Sequence, residues 1–443
     1  MKLLFLTTYN VSIDREHYFT INVWNELCKQ FGSGADEITL ATIIVGSQYS
    51  EPLITEEEYD GKKYYKLHYS PFLPDEEKID RIARFFKHIA PDVIHSNMIE
   101  MIDVKAAKAC NIPILLTIHI GGFICPRSGG NGFLKYNDSI CDTKIGKHCF
   151  KCCSKDFPLP FFARLLYRLL PLSLCEWLYC KLKGRQIFYI TLFLTKTHEI
   201  ILRQKAIDTY KYATIIVANH KLKELLALNG LKDNIVLLPH GVKQRPKLPV
   251  PVVKDAVKFF YLGRIQYSKG LHNVLQAFEN IDTSLYELHI IGDAESNGPS
   301  QRYDKKIRKM ANGKNVVFHG RLPNEDIENV IKDMHVMIHP AIFLEVYGLT
   351  IAESLSLGRP VLATRCGGAE MQIQEGVNGW FIEPNNIEAL HDKILDIIHN
   401  KKQITAMSNN CKLPHEISEY CKELIGIYKR NNNHTLLPPK QTE

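Results

Sequence analysis

Short apolar runs punctuate this chain, separated by helix-length stretches of mixed polarity. In the first half they fall at Leu3–Leu6, Ile38–Val45, Val93–His95, Ile114–His119, Thr214–Ala218 and Ile235–Leu238. The second half repeats the rhythm at Phe259–Leu262, Leu288–Gly292, Val316–Gly320, Val336–Pro340 and Pro360–Ala363, with helical stretches such as Leu271–Phe278 and Asn324–Asp333 between them. Runs of this length alternating with helices predict an α/β fold built on parallel, doubly wound sheets. Ligands in such folds sit at the carboxyl ends of the strands. Residues 244–255, QRPKLPVPVVKD, are proline-rich and read as a linker. The chain therefore divides into a domain over 1–243 and a second over 256–415, facing each other across a cleft. Within 416–430, Ile417, Tyr420, Cys421, Leu424 and Ile427 recur at helical spacing, and 431–443 reads as a disordered tail.

Composition narrows the class. With 443 residues, 45% hydrophobic and 23% charged, the chain is globular and large enough for two cores. A formal charge of +7 suits anionic partners without demanding nucleic acid. The start, MKLLFLTTYN, has too short an apolar run for a signal peptide and reads as a first buried strand. No window reaches the length of an uninterrupted spanning helix. Twelve cysteines without a secretory signal point to reduced thiols in a cytoplasmic protein.

The most informative segment is 339–370, HPAIFLEVYGLTIAESLSLGRPVLATRCGGAE. Seven residues separate Glu345 from Glu353; Gly348 lies between them, and the pair Gly367-Gly368 follows the strand-like Pro360–Ala363. A glycine turn opening a helix is a natural anion seat, because unpaired N–H groups and the helix dipole converge there. Carboxylates flanking it suit sugar and ribose hydroxyls rather than phosphate. Upstream, KFFYLGRIQYSKGLHNVL (258–275) places Arg264 and Lys269 where a strand feeds a helix. Arginine grips diphosphate oxygens bidentately and lysine supplies a point charge.

These features resemble the retaining glycosyltransferases of family four, the glycosyl transferases group 1, which have the GT-B fold of two Rossmann-like domains. The resemblance is strongest over 258–385. It implies that Arg264 and Lys269 contact a donor pyrophosphate and that Glu345 binds hydroxyls of the transferred sugar. Glu353 would hold the ribose, the backbone at Gly348, Leu349 and Thr350 would meet the distal phosphate, and Gly292 would lie near the nucleotide. His119, which ends the strand ILLTIH, would reach the sugar from the opposite domain. His95, His240 and His339 are lesser candidates. The implied reaction needs no cofactor or catalytic metal, and no Asp-x-Asp pair lies near the motif. The C-terminal helix is expected to cross back to the first domain. Two departures stand out: the loop after the first strand, TTYNVSIDREHYF, lacks the family's glycines, and the usual Pro-Asn-Gly turn is Pro239-His240-Gly241.

Two further features lie in the N-terminal half. The insert over 120–155 carries Cys125, Cys141, Cys149 and Cys152, which could form a structural Cys₄ zinc site or remain free thiols. Across 151–221 there are 12 Lys and Arg against 4 Asp and Glu. Within the stretch 157–190, Phe161, Phe162, Leu165, Leu166, Leu169 and Leu170 share one helical face, while Arg164 and Arg168 share another. That pattern suits an anionic membrane surface or packing on the domain. The expected partners are a nucleotide-diphosphate sugar, a glycan or lipid-linked acceptor and possible peripheral membrane contact, with no nucleic acid. The rival classes are a basic, cysteine-clustered nucleic-acid binder and a non-catalytic nucleotide-sugar binder. A glycoside hydrolase fits poorly, because both glutamates lie on one continuous element beside the phosphate seat.

Overall fold

The computed structural model describes residues 1–7, 18–31, 37–45, 53–59, 62–70, 72–98, 100–119, 123–127, 132–156, 169–182, 188–250, 252–295 and 298–433. The N-terminal sheet comprises β1 (Lys2–Thr7), β2 (Glu37–Val45), β3 (Leu53–Tyr59), β4 (Lys62–Tyr69), β5 (Val93–Ser96), β6 (Ile114–Thr117), β7 (Thr214–Val217) and β8 (Ile235–Leu237). Its order is β3-β4-β2-β1-β5-β6-β7-β8, with every pairing parallel except β3 on β4. The β3–β4 hairpin at the edge escapes the βα rhythm read from the sequence. LITEEEY carries little of the apolar signal that marks the central strands.

The C-terminal sheet is entirely parallel. It holds β9 (Val257–Leu262), β10 (Tyr286–Ile291), β11 (Val316–Gly320), β12 (Val336–His339), β13 (Val361–Thr364) and β14 (Gly379–Ile382), in the order β11-β10-β9-β12-β13-β14. Both faces of each sheet are covered, and the pleat divides each strand between two cores. Leu3 and Phe5 of β1 enter one N-terminal core and Leu4 and Leu6 the other. Phe259 and Tyr261 of β9 likewise oppose Phe260 and Leu262. This two-sided burial explains why the strands read as continuous hydrophobic runs.

The helix Ile417–Asn433 packs on the N-terminal sheet, not on the domain that precedes it. Ile417, Tyr420, Cys421, Leu424, Ile427 and Tyr428 are buried with Phe5, Trp24 and Leu27. Burial of such side chains contributes about 1.5–3 kcal/mol each, enough to hold the second domain's C-terminus against the first. Segment 244–250 lies along the C-terminal domain. Arg245 reaches Glu328 at 3.1 Å, and the fully buried Arg359 guanidinium donates to the Pro249 carbonyl (3.1 Å) and the Lys332 carbonyl (2.8 Å). No described helix is long and apolar enough to cross a membrane.

Candidate active site

In the C-terminal sheet the chain runs outward from β9 through β10 to β11, then returns to begin β12 on the other side of β9. The carboxyl ends of β9 and β12 therefore border the point where strand order reverses, the site at which open α/β sheets bind ligands. Lys269 follows β9 and Glu345 follows β12. The Lys269 ammonium lies 2.5 Å from Glu345 Oε2, with the side chains 18% and 12% exposed. Burial alone would raise the Glu345 carboxyl. The adjacent Lys269 and then His339 outweigh it and bring it down to about 2. His339 Nε2 is buried without a hydrogen bond, 3.6 Å from the same oxygen. Burial, opposed by Glu345, lowers this imidazole, so it is uncharged at neutral pH.

Glycines permit this close assembly. At Gly270, with φ +72°, a Cβ would fall 2.0 Å from the Pro340 carbonyl oxygen, so only glycine lets the loop after β9 touch the end of β12. Ile342 N–H donates to the Ser268 carbonyl at 2.9 Å, joining the same two loops. Gly367 and Gly368 do not serve as a bare turn. They run beside Glu345, which bridges to Gly367 and accepts the Gly368 N–H at 3.0 Å. A Cβ on Gly368 would lie 2.3 Å from the Tyr347 oxygen. Gly292 plays a comparable role, because its Cβ would fall 1.9 Å from the Gly263 oxygen. It lets the end of β10 lie against the loop that carries Arg264.

Arg264 is 63% exposed and 3.3 Å from Glu295, a solvent-facing pair of little intrinsic strength that leaves the guanidinium accessible. Gly348, in a left-handed conformation, precedes the helix Leu349–Ser356, whose first residues are Leu349 and Thr350. Glu353 is 9% exposed on that helix. Burial raises its carboxyl, with Arg245 opposing.

From the N-terminal domain, His119 Nε2 lies 2.8 Å from Asn97 Oδ1. Its ring lies 5.3 Å from that of His240, which lies 5.5 Å from Tyr347. A run of tilted ring contacts thus links His119 to the Glu345 segment. His240 is fully buried, and burial followed by the neighbouring His119 keeps it uncharged. His95 instead sits in the core between Tyr428 Oη (2.6 Å) and Thr117 Oγ1 (2.7 Å).

Contacts between the domains include residues that sequence reasoning missed. Asn219 caps the helix His220–Leu228 by accepting the Leu222 N–H at 2.7 Å. Its amide donates to the Glu345 and Val346 carbonyls at 3.1 and 2.6 Å. Lys221 pairs with Glu370 at 2.6 Å. The Asn-x-x-Leu start of a helix is legible in the sequence; its second bond, across the cleft, is not.

Cys125, Cys141, Cys149 and Cys152 share one neighbourhood, close enough for each thiol to bear on others. Cys125 accepts the Phe133 N–H (3.3 Å) and Cys149 the Gly146 N–H (3.5 Å). They are not drawn into a ligand set: among the described residues no group of three or more His, Cys, Asp or Glu side chains is placed to hold a metal. The loop after β1, Gly121-Gly122 and the greasy face at 161–168 lie outside the described residues. Leu169 is 70% exposed, whereas Leu170 packs on the N-terminal core.

Two Rossmann-like domains with a C-terminal helix returning to the first define the GT-B fold, and solved structures agree. HepE of Anabaena, in complex with UDP and glucose, superposes with a TM-score of 0.62 at 13% identity, covering 97% of this chain and 99% of that one. The lipopolysaccharide outer core galactosyltransferase WaaB gives 0.61 at 14% identity, covering 97% and 100%. Residues 244–413 match the family described as glycosyl transferases group 1. Among curated proteins, the chain is 26% identical over 229 residues to the lipopolysaccharide 1,2-N-acetylglucosaminetransferase of Salmonella typhimurium, covering 48% of this chain and 57% of that protein. It is 26% identical over 222 residues to the O-antigen chain mannosyltransferase C of Escherichia coli, covering 48% and 58%. The matched regions thus span little more than half the length of these relatives.

Proposed function

We propose that this protein is a retaining glycosyltransferase that moves a sugar from a nucleoside-diphosphate sugar to a glycan or lipid-linked acceptor, without a catalytic metal. The observation that carries the reading is the buried Lys269–Glu345 pair at the reversal point of the C-terminal sheet. Breaking the sugar–diphosphate bond leaves negative charge on the departing phosphate and oxocarbenium character on the sugar. Lys269, Arg264 and the amides at Gly348, Leu349 and Thr350 meet the phosphate charge, and preorganised donors of this kind contribute several kcal/mol to such a step. Glu345 accepts hydroxyls of the sugar, Glu353 accepts those of the ribose, and His119 approaches the sugar from the opposite wall. The acceptor attacks on the face the diphosphate leaves, and the departing phosphate takes its proton. A glycan acceptor is supported by the names of relatives that act on lipopolysaccharide and O-antigen.

The finer parts of this reading have their own support. Contact with the anionic cytoplasmic face of a membrane is supported by Leu169, Leu174 and Trp177, which are 70%, 39% and 56% exposed beside a basic stretch. Co-sedimentation with phosphatidylglycerol vesicles, absent with phosphatidylcholine alone, tests it. A structural zinc would require Cys125, Cys141, Cys149 and Cys152 to draw together. Metal analysis of protein prepared without chelator should then find about one zinc per chain, and none refutes it. The central experiment screens UDP-, GDP- and ADP-sugars for thermal stabilisation and release of nucleoside diphosphate. Failure of all of them overturns the assignment.

A further inference from the structure

We infer that Asp138, at the tip of the cysteine insert, is a positioning residue for the phosphate loop of the opposite domain. This deepens the proposed function, since it rests on Lys269 being the phosphate-binding lysine.

The insert forms a small hairpin closed by the Leu134–Ile140 bridge. Lys135 N–H donates to the Ser139 carbonyl at 2.8 Å, and Asp138 N–H donates to the Lys135 carbonyl at 3.1 Å. Asp138 takes the left-handed conformation (φ 61°), which Asp tolerates better than most residues. The buried Arg127 guanidinium holds the hairpin by donating to the Leu134 carbonyl at 2.6 Å and the Lys135 carbonyl at 3.2 Å. The tip is therefore built to present Asp138, not left as loose loop.

What Asp138 meets belongs to the other domain. Tyr267 Oη donates to Asp138 Oδ2 at 3.0 Å, and Lys155 of the insert pairs with the same carboxylate at 2.6 Å. Tyr267 opens the single turn Tyr267–Lys269, so the bond is made two residues from Lys269. A second tie runs through the backbone. Asn385 Nδ2 donates to the Asp138 carbonyl at 2.5 Å, and Asn385 Oδ1 accepts from Asn273, on the helix Leu271–Ala277 that Gly270 opens. The insert thus grips both sides of Lys269-Gly270. Burial, reinforced by Asp138, pushes the Tyr267 phenol up to about 12, so it stays a donor at working pH. A bond from a neutral donor to an ionised acceptor is the stronger kind. Its consequence is that the N-terminal domain's insert, not the C-terminal domain alone, sets where the ammonium of Lys269 stands.

The test uses the full chain and the variants Asp138→Asn, Tyr267→Phe and the double variant. Hydrogen exchange of the free protein over 264–272 should accelerate about tenfold in each single variant, equivalent to about 1.4 kcal/mol, and no further in the double variant. The insert over 132–156 should keep its protection in Tyr267→Phe. Donor KM, read from nucleoside-diphosphate release with UDP-, GDP- or ADP-glucose, should rise by a similar factor with a smaller change in kcat. Unchanged exchange over 264–272, or effects that add in the double variant, overturn the inference. Absence of release by the wild-type protein from any of these sugars removes the proposed function instead, and the exchange result still decides the role of Asp138.

Discussion

Replacing Lys269 by methionine keeps the stem and removes the ammonium, and its consequences follow from the pair it leaves behind. In the native site the Glu345 carboxyl is depressed from 4.5 to about 2, a difference of about 3 kcal/mol between its protonation states. The carboxylate therefore contributes stability that is fully present above its unfolded value of 4.5 and is lost as pH falls toward 2. Without Lys269, burial is opposed only by His339, and the carboxyl rises. At neutral pH an uncompensated charge is then buried, a situation that costs about 3–5 kcal/mol. The stability gap between wild type and Lys269→Met should be widest at neutral pH and narrow on acidification, as urea unfolding across the acid range would show. For turnover, losing one preorganised donor to the leaving phosphate should cost about 10²–10³ in kcat. The acid limb contributed by Glu345 should move to higher pH as its carboxyl rises. Nucleoside-diphosphate release measured against pH reads both effects. Activity within about threefold of wild type, under about 0.7 kcal/mol, would sink the phosphate assignment.

Arg264→Ala should separate function from folding: its exposed pair with Glu295 predicts a stability change within about 0.5 kcal/mol, while donor turnover falls sharply. A normal turnover rate would show that the guanidinium does not touch the diphosphate. Gly292→Ala and Gly368→Ala should each destabilise by more than about 3 kcal/mol, because their Cβ atoms would lie 1.9 Å and 2.3 Å from carbonyl oxygens; urea midpoints near the wild-type value would contradict this packing. Burial holds His95 near 3 in the fold, with His119 adding to the effect. The unfolded chain therefore binds a proton that the fold refuses, and stability should fall below about pH 6.5 by up to about 1.4 kcal/mol per pH unit. His95→Gln should flatten that slope in urea titrations, and an unchanged slope would refute the assignment.

Most of this architecture was legible because two-sided burial writes itself into sequence as solid apolar runs. β1, β9 and β12 announce themselves that way. The hairpin β3–β4 does not, since LITEEEY takes its stability from pairing at the sheet edge and not from a hydrophobic face of its own. The loop that carries Arg264 and Lys269 and the glutamate segment stood out equally, each marked by glycine beside charge at a strand–helix junction. The glycines were found for an incomplete reason: at 367 and 368 they admit a neighbouring strand, a fact about distance that no local pattern encodes. What escaped were single polar residues acting across long separations. Asn219 meets Glu345 at 126 residues' remove and Asp138 meets Asn385 at 247. Such bonds have no period and no composition, so only the fold reveals them.

The two glutamates that share one motif have their carboxyls shifted in opposite directions, and this restricts what each can do. Glu345, with Lys269 at 2.5 Å, retains no proton at neutral pH. It cannot serve as a general acid, and a carboxylate so strongly stabilised is also a poor base toward an alcohol. What it can do is accept hydrogen bonds, which is what a sugar hydroxyl offers. Glu353, buried on the helix behind it and raised by that burial, makes no ion pair among the described residues and so keeps its accepting capacity for a ligand. Glu345 is then not the group that takes the acceptor's proton. In the proposed complex that task falls to the leaving phosphate, whose developing negative charge lies beside Lys269. A diphosphate entering the site gives Lys269 a second anionic neighbour, and Glu345 needs a donor in its place. In the proposed complex the hydroxyl of the transferred sugar meets that need, so diphosphate and sugar binding would reinforce each other through one lysine.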